Sequence, residues 1–162
     1  MIPLTIGAIA DIVGGTLHDV PDPSAVVSGT VEFDSRATTP GGLFLALPGN
    51  RVDGHDHAAA AVDAGAVLVV AARPVGVPAV VVEKTPHSSR AMALEHDNDG
   101  SGAAVLDALA RLARESVSQL TASHGLTVVG VTGSLAKTST KEQIAEVLSE
   151  RWNVLRNEAN EN

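Results

Sequence analysis

The chain has 162 residues, a formal net charge of −8 and no cysteine. So acidic a chain has no broad basic surface, which excludes general nucleic-acid binding, and the lack of cysteine excludes disulfides, thiolate metal sites and cysteine nucleophiles. Hydrophobic residues make up 44% and aromatic residues only 2% of the chain, so the core must be built from Val, Ala, Leu and Ile. Alternating runs of these residues predict an α/β protein.

The first half of the chain predicts a small mixed α/β domain. Its periodicity and turn residues predict, in chain order, a helix at 5–13, strands at 16–18, 27–33 and 43–47, a helix at 53–65, and strands at 67–71 and 78–82. The last part of this pattern contains one βαβ-like step. The N-terminus lacks a positively charged region, and Asp63 and Gly65 interrupt the most apolar stretch, so we expect neither a signal peptide nor a membrane insertion.

The second half begins after a polar, turn-rich stretch. An amphipathic helix is predicted at 103–117, a buried strand at 126–131, and a helix at 137–151 whose inward face is Ile144, Val147 and Leu148. We therefore divide the chain into a domain at 1–85, a linker at 86–102 and the start of a second domain at 103–162. Because the predicted strand has few partners, we expect 103–162 to pack poorly and 1–83 to pack well.

The segment VTGSLAKTST (131–140) joins the last predicted strand to the last helix. A strand, small residues, Lys-Thr and a helix in this order are typical of a phosphate-binding loop, because the helix N-terminus offers N–H groups and partial positive charge. Lys137 can reach the β- and γ-phosphates, and Thr138 can place its hydroxyl on Mg²⁺. The alternative interpretation is a plain strand–turn–helix junction with a solvated lysine.

Ala136 stands directly before the lysine, where such loops have glycine. If this position requires a positive φ, alanine costs on the order of 1 kcal/mol or more, and its methyl group presses toward the phosphates. The sequence is therefore compatible with both weak and normal nucleotide binding.

Two other clusters suggest metal sites less strongly. His55 and His57 in DGHDH have no third ligand at a useful spacing, and we interpret them as part of a helix start in which Asp53 or Asp56 accepts hydrogen bonds from N–H groups. The segment HDNDG (96–100) does not match the spacing of a calcium loop, and we interpret it as a turn and helix cap.

The segment GVTGSLAKTSTKEQIAEVL resembles the ATP loop of the Mur ligase family, whose pattern is TG[ST]-x-GK[ST][ST]. Upstream, FDSRATTPGGLFLALPGNRVDGHDH is similar to the substrate-domain signature of the same family. The resemblance covers nearly the whole chain, and two motifs in the correct order are more specific than one.

The resemblance implies an ATP-dependent ligase of peptidoglycan synthesis that forms an amide through an acyl phosphate. The branch it favours adds D-alanyl-D-alanine to UDP-N-acetylmuramoyl-tripeptide in the cytoplasm, as a monomer that uses ATP and Mg²⁺. It assigns ATP contacts to Gly133, Ser134, Leu135, Ala136, Lys137, Thr138 and Ser139, with Thr138 also at the metal. It assigns UDP-sugar contacts to Ser35, Arg36, Asn50 and Arg51.

The family has three domains, and this chain stops one helix after the loop. We therefore expect an incomplete, inactive fragment in which Lys137 alone represents the catalytic machinery. A non-catalytic UDP-sugar-binding remnant and the sister ligase that adds the third peptide residue remain alternatives. A small kinase is disfavoured, because kinases have the loop near the N-terminus and the upstream motif would go unexplained. Read without the family, Asp34-Ser35-Arg36 is an ordinary turn with an ion pair.

Overall fold

The computed structural model describes residues 2–49, 52–84, 97–133 and 135–157. The chain forms two compact units, Met1–His124 and Gly125–Asn162, which we call unit 1 and unit 2. The elements of unit 1 are β1 (Leu4–Thr5), α1 (Ile6–Val13), β2 (Thr16–His18), β3 (Val26–Val27), β4 (Val31–Glu32), β5 (Gly42–Leu45), a 3₁₀ turn (Gly54–His57), α2 (Ala58–Asp63), β6 (Ala66–Ala71), β7 (Ala79–Val81) and α3 (Ser101–His124). Unit 2 contains α4 (Lys137–Ser149).

Unit 1 is built on a five-stranded sheet with the order β2-β7-β6-β5-β4. Strands β4 to β7 are parallel to one another, and β2 pairs with β7 in the antiparallel direction. The α/β prediction is confirmed, and the predicted βαβ step is β5–α2–β6. Because the four parallel strands run the same way, the segments that follow them meet at one edge of the sheet, which we call the carboxyl edge.

Helices cover both faces of the sheet, so its central strands are buried on both sides. Alternate residues of β5 and β6 point to opposite faces, as the two-residue period of a strand requires. Leu43, Leu68 and Val70 pack with α1 and α3, whereas Phe44 and Val69 pack with α2. Since both faces need apolar side chains, these strands have the continuous apolar sequence that identified them.

Helix α1 begins and ends where its sequence predicts. The Thr5 hydroxyl accepts a hydrogen bond from the Ala8 N–H at 3.2 Å, which caps the helix start. Gly14 follows the last turn with φ of 69°, a left-handed conformation that suits glycine. The cap residues therefore set both ends of this short helix.

Helix α3 packs with unit 1, whereas the sequence-based division placed it at the start of the second domain. Its buried residues Val105 and Leu112 join the core cluster that contains α1. The Arg111 guanidinium also donates a hydrogen bond to the carbonyl of Val13, at 3.2 Å, where α1 ends. The helix covers one face of the sheet. Its amphipathic pattern predicts that one side of the helix is buried but does not say against which element.

Side chains before α3 cap its first turn. Asp97 accepts a hydrogen bond from the Ala103 N–H at 2.8 Å, and Asp99 accepts one from the Ser101 N–H at 3.1 Å. Lys84, just past β7, forms an ion pair with Asp99. The helix cap predicted in this segment is thus confirmed, whereas most of the predicted linker lies outside the described residues.

Unit 2 differs from its prediction in two ways. The strand predicted at 126–131 is absent: these residues have no sheet pairing, and Val128 and Val129 are exposed. A strand requires a neighbouring strand for its hydrogen bonds, and none exists in the described part of unit 2. The inward face of α4 is also wrong in part, because Val147 is 70% exposed and Ala145 is the buried residue. The expected poor packing thus applies to unit 2 and is wrong for α3.

One buried side chain joins two segments of the carboxyl edge. His55, in the 3₁₀ turn after β5, is 4% exposed, and its Nε2 accepts a hydrogen bond from the Ala72 N–H at 3.0 Å, just past β6. Its Nδ1 lies 2.7 Å from Asp53 Oδ1. Because Nε2 is an acceptor, the ring proton is on Nδ1 and is donated to Asp53. The interpretation of His55 as helix-start chemistry is confirmed, since Asp53 also accepts from the His55 N–H at 3.0 Å.

We predict that His55→Ala destabilises unit 1 by about 2–4 kcal/mol, because it leaves the buried Ala72 N–H unpaired, removes one hydrogen bond to Asp53 and opens a cavity. Hydrogen exchange of the β5 and β6 amides measures this free energy. The control is His57→Ala, at a half-buried neighbour, with an expected cost below about 1 kcal/mol. Equal costs in the two variants would show that the His55 hydrogen bonds do not hold the edge.

Candidate functional site

Three segments of unit 1 meet at the carboxyl edge of the sheet. Residues 33–36 follow β4, residues 46–49 follow β5, and Ala72 and Arg73 follow β6. In open α/β sheets, ligands bind in the crevice outside the carboxyl ends of the strands. This edge is therefore the candidate ligand site of unit 1.

The segment after β4 forms a turn closed by an ion pair. The Arg36 guanidinium donates to both carboxylate oxygens of Asp34, at 2.9 and 2.6 Å, and the Arg36 N–H also donates to Asp34 at 3.0 Å. These hydrogen bonds lower the pKa of Asp34 to about 2. Ser35 is half-buried, whereas the Arg36 side chain is 87% exposed. The turn thus holds an outward-facing guanidinium, whose fork matches phosphate oxygens.

The structure brings together only part of the predicted UDP-sugar contacts. Ser35 and Arg36 lie on the carboxyl edge, while Asn50 and Arg51 lie outside the described residues. Pro48, which follows β5, pairs with Asp53 as an isolated antiparallel bridge. Asp53, directly before the 3₁₀ turn, therefore lies beside the segment that follows β5.

Sequence reasoning missed Arg73, a second cation on this edge. Its guanidinium donates to Asp53 at 3.1 Å and to Asp56 at 3.0 Å. Burial raises the pKa of Asp53, but hydrogen bonds from His55 and Arg73 outweigh it and hold that pKa below its ordinary value. The available signal was a charged residue directly after the buried run of β6. Arg73 reinforces the link that His55 makes between two loops.

In unit 2, the predicted phosphate loop leads into the N-terminus of α4. Gly133 has φ of 148° and Ala136 has φ of 59° and ψ of 14°. Ser134 lies outside the described residues, Leu135, Thr138 and Ser139 are exposed, and Lys137 is half-buried. Residues 135–139 are therefore continuous at a helix start, the geometry that suits a polyphosphate.

Ala136 has the positive φ that the sequence suggested. A left-handed residue followed by a helical one forms a nest, in which successive N–H groups point to one side and bind an anion. Such a conformation costs a residue with a Cβ roughly 1–2 kcal/mol. The loop thus has the backbone form of a phosphate site, with a strained residue at its centre.

Among the residues that the structure describes, no group of three or more His, Asp or Glu side chains could hold a metal ion. Within those same ranges, every helix is too short or too polar to cross a bilayer.

We predict that Arg36→Gln raises the pKa of Asp34 from about 2 toward 3.8, because the neutral amide removes the charged hydrogen-bond donor. Carboxyl-carbon NMR titration measures this value. Because the folded pKa is depressed, the stabilisation is complete above pH 3.8 and is lost as the pH falls through about 2. Asp22, whose pKa is lowered by Ser24, is the internal control and should titrate alike in both chains. An unchanged Asp34 titration would contradict the ion pair.

Comparison with known proteins supports one family. The model described as "Mur ligase family, catalytic domain" matches residues 29–116, more than half of the chain. A Mycobacterium bovis protein named UDP-N-acetylmuramoyl-tripeptide--D-alanyl-D-alanine ligase is 61% identical over 153 residues, which cover 92% of this chain and 30% of that protein. The chain therefore spans only 30% of the length of this relative.

Two solved structures carry the same fold. A crystal structure of MurF from Acinetobacter baumannii has a TM-score of 0.68 and 27% identity, covering 92% of this chain and 28% of that one. A MurF ligase from Thermotoga maritima in complex with ADP has a TM-score of 0.51 and 32% identity, covering 77% of this chain and 24% of that one. With the family model and the α/β fold in agreement, this chain belongs to the Mur ligase family.

Proposed function

We propose that this chain supplies the UDP-sugar-binding unit and the ATP loop of a ligase that adds D-alanyl-D-alanine to UDP-N-acetylmuramoyl-tripeptide in peptidoglycan synthesis. The observation that carries the proposal is the left-handed Ala136 directly before Lys137 at the start of α4, in a chain that is 61% identical to a relative named for this reaction. The solved relative with bound ADP supports nucleotide use.

In the proposed reaction, an oxygen of the tripeptide carboxylate attacks the γ-phosphorus of ATP, and ADP leaves. The amine of D-alanyl-D-alanine then attacks the acyl carbon, phosphate leaves, and the amine loses a proton. Such phosphoryl transfer depends on positioning and on neutralising charge. Of the described residues, Lys137 is the one we assign to this chemistry, as the cation at the phosphates.

The ATP contacts are assigned to the loop residues Gly133, Ser134, Leu135, Ala136, Lys137, Thr138 and Ser139. Thr138 lies in the first turn of α4, and its hydroxyl is the hard oxygen donor that Mg²⁺ prefers. Mg²⁺ supplies charge neutralisation at the phosphates when it is bound. Thr138 is therefore the described residue that would hold Mg²⁺ beside the phosphates.

The UDP-sugar contacts are assigned to the carboxyl edge of unit 1. Arg36 presents its guanidinium outward there, Ser35 lies beside it, and Asn50 and Arg51 belong to the loop after β5. Arg36 uses Nε and one Nη2 hydrogen bond on Asp34, and we assign the outer N–H groups of its guanidinium to the diphosphate, because such groups match phosphate oxygens. Cytoplasmic location and a monomeric state belong to the same proposal.

Titration of Mg-ATP by calorimetry tests the nucleotide part. Lys137→Ala should weaken binding by about ten-fold or more, because it removes a charge-assisted contact with phosphate. Lys141→Ala is the matched control on the same helix, where Lys141 donates to the Asn157 carbonyl at 2.6 Å. That variant should bind within about two-fold of the parent chain. Equal losses in both variants, or no binding by the parent, would contradict the proposal.

A further inference from the structure

Gly102, the second residue of α3, lies against the segment that follows β5. A Cβ added to Gly102 would lie 3.0 Å from both Cγ and Cδ of Pro48 and 3.2 Å from Cγ of Asp97. Carbon atoms prefer separations of roughly 3.5–4.0 Å, so any larger residue at this position would have to displace a neighbour. Glycine is unfavourable within a helix, and the close approach of Pro48 explains why it is present here.

The two neighbours of Gly102 differ in how firmly they are held. Asp97 is 3% exposed, and its carboxylate accepts a hydrogen bond from the Ala103 N–H at 2.8 Å, so α3 itself fixes its position. Pro48 is half-buried and belongs to the segment between β5 and the 3₁₀ turn. A side chain at position 102 is therefore expected to displace Pro48 rather than Asp97.

Pro48 is connected to the carboxyl edge through backbone pairing. It forms the isolated bridge with Asp53, and the Gly54 N–H donates to the carbonyl of Leu47, the residue before the proline, at 2.9 Å. Asp53 in turn accepts hydrogen bonds from the backbone N–H and the ring of His55. A displacement of Pro48 therefore reaches the hydrogen bonds that hold the carboxyl edge together.

We propose that Gly102 is a positioning residue for the UDP-sugar site. By leaving room for Pro48, the first turn of α3 sets the position of the segment after β5, and thereby the affinity for UDP-N-acetylmuramoyl-tripeptide. Binding groups must be held within roughly 0.5 Å of their productive positions, and relieving a 3.0 Å contact requires a shift of that order. This proposal rests on the proposed function of the carboxyl edge.

The test compares the parent chain with Gly102→Ala, by calorimetric titration with UDP-N-acetylmuramoyl-tripeptide and by hydrogen exchange. The Kd should weaken by about five-fold or more, because the displaced segment no longer fits the substrate. Exchange of the Gly54 amide should become about five-fold faster, since its hydrogen bond to Leu47 spans the displaced segment. Exchange of the Ala103 amide, which reports on the cap made by Asp97, should stay within about two-fold.

Pro48→Ala provides a rescue, because it removes the two ring atoms that lie closest to the added Cβ. In the Pro48→Ala background, adding Gly102→Ala should change the Kd and the Gly54 exchange rate by less than about two-fold. The comparison is made within that background, so any effect of losing the proline ring itself cancels.

The matched control is Gly7→Ala, because Gly7 is also the second residue of a helix, α1. A Cβ there would lie 3.4 Å from the carbonyl oxygen and 3.8 Å from the Cβ of Pro23, which are ordinary contacts. The same substitution should therefore leave the Kd and the Gly54 exchange rate within about two-fold of the parent values. This control separates the loss of space from the change in helix propensity.

Weaker substrate binding and faster Gly54 exchange in Gly102→Ala, both absent in the Pro48→Ala background, support the proposal. An unchanged Kd overturns it even if Gly102→Ala is less stable, because the role of Gly102 would then be structural only. Losses that persist in the Pro48→Ala background also overturn it. Faster Ala103 exchange with unchanged Gly54 exchange overturns it as well, since Asp97 would then be the group that moves.

Two further outcomes are also decisive. If Gly102→Ala does not fold, folding and substrate binding by the double variant support the proposal, and failure of the double variant to fold overturns it. If the parent chain does not bind the substrate, the proposed function of the carboxyl edge fails, and Gly54 exchange decides the role of Gly102. Faster exchange that Pro48→Ala removes supports the positioning role, and unchanged exchange overturns it.

Discussion

The pair of hydrogen bonds made by the His55 ring fixes the geometry on which the candidate substrate site depends. The ring is buried in the carboxyl edge, accepts from the Ala72 N–H and donates to Asp53. It thereby ties the loop after β5 to the end of β6, and Arg73 adds ion pairs to the same loop. Leaving a buried polar group without a hydrogen bond costs free energy, so these bonds favour a single arrangement of the segments that follow β5 and β6. A rigid edge of this kind can present Arg36 and the loop after β5 in a fixed relation to a ligand.

The two units show what neighbouring elements contribute to stability. Unit 1 buries its parallel strands on both faces, with α1 and α3 on one side and α2 on the other. In unit 2, the described residues include one buried hydrophobic side chain, Ala145, and apolar residues such as Val128 are exposed. The same kind of apolar sequence therefore forms a strand in unit 1, where neighbouring strands exist, and forms no strand at 126–131. Hydrophobic patterning specifies a strand only when a second strand is available to satisfy its hydrogen bonds.

The sequence predicted the fold class and the order of elements well, because helix caps and buried runs are local signals. Thr5 and Gly14 mark both ends of α1, and the apolar run at 67–71 predicts a central strand. Local patterns do not specify which distant elements pack together. For this reason the sequence-based division placed α3 outside unit 1, and the predicted inward face of α4 wrongly included Val147. In the candidate site too, local motifs identified some residues and missed one that depends on contacts between distant parts of the chain. Asp34, Arg36 and the loop before Lys137 were predicted from motifs, whereas Arg73 contacts Asp53 and Asp56, which lie 20 and 17 residues away in the chain.

We propose that the carboxyl edge of unit 1 binds the UDP-sugar substrate. The most direct measurement is NMR chemical-shift mapping of backbone amides during titration with UDP-N-acetylmuramoyl-tripeptide. We expect the largest shifts at residues 34–36, 46–49, 52–56 and 72–73, with little change at the amino ends of the parallel strands. Shifts centred on the face covered by α1 and α3, or an absence of binding, would contradict it.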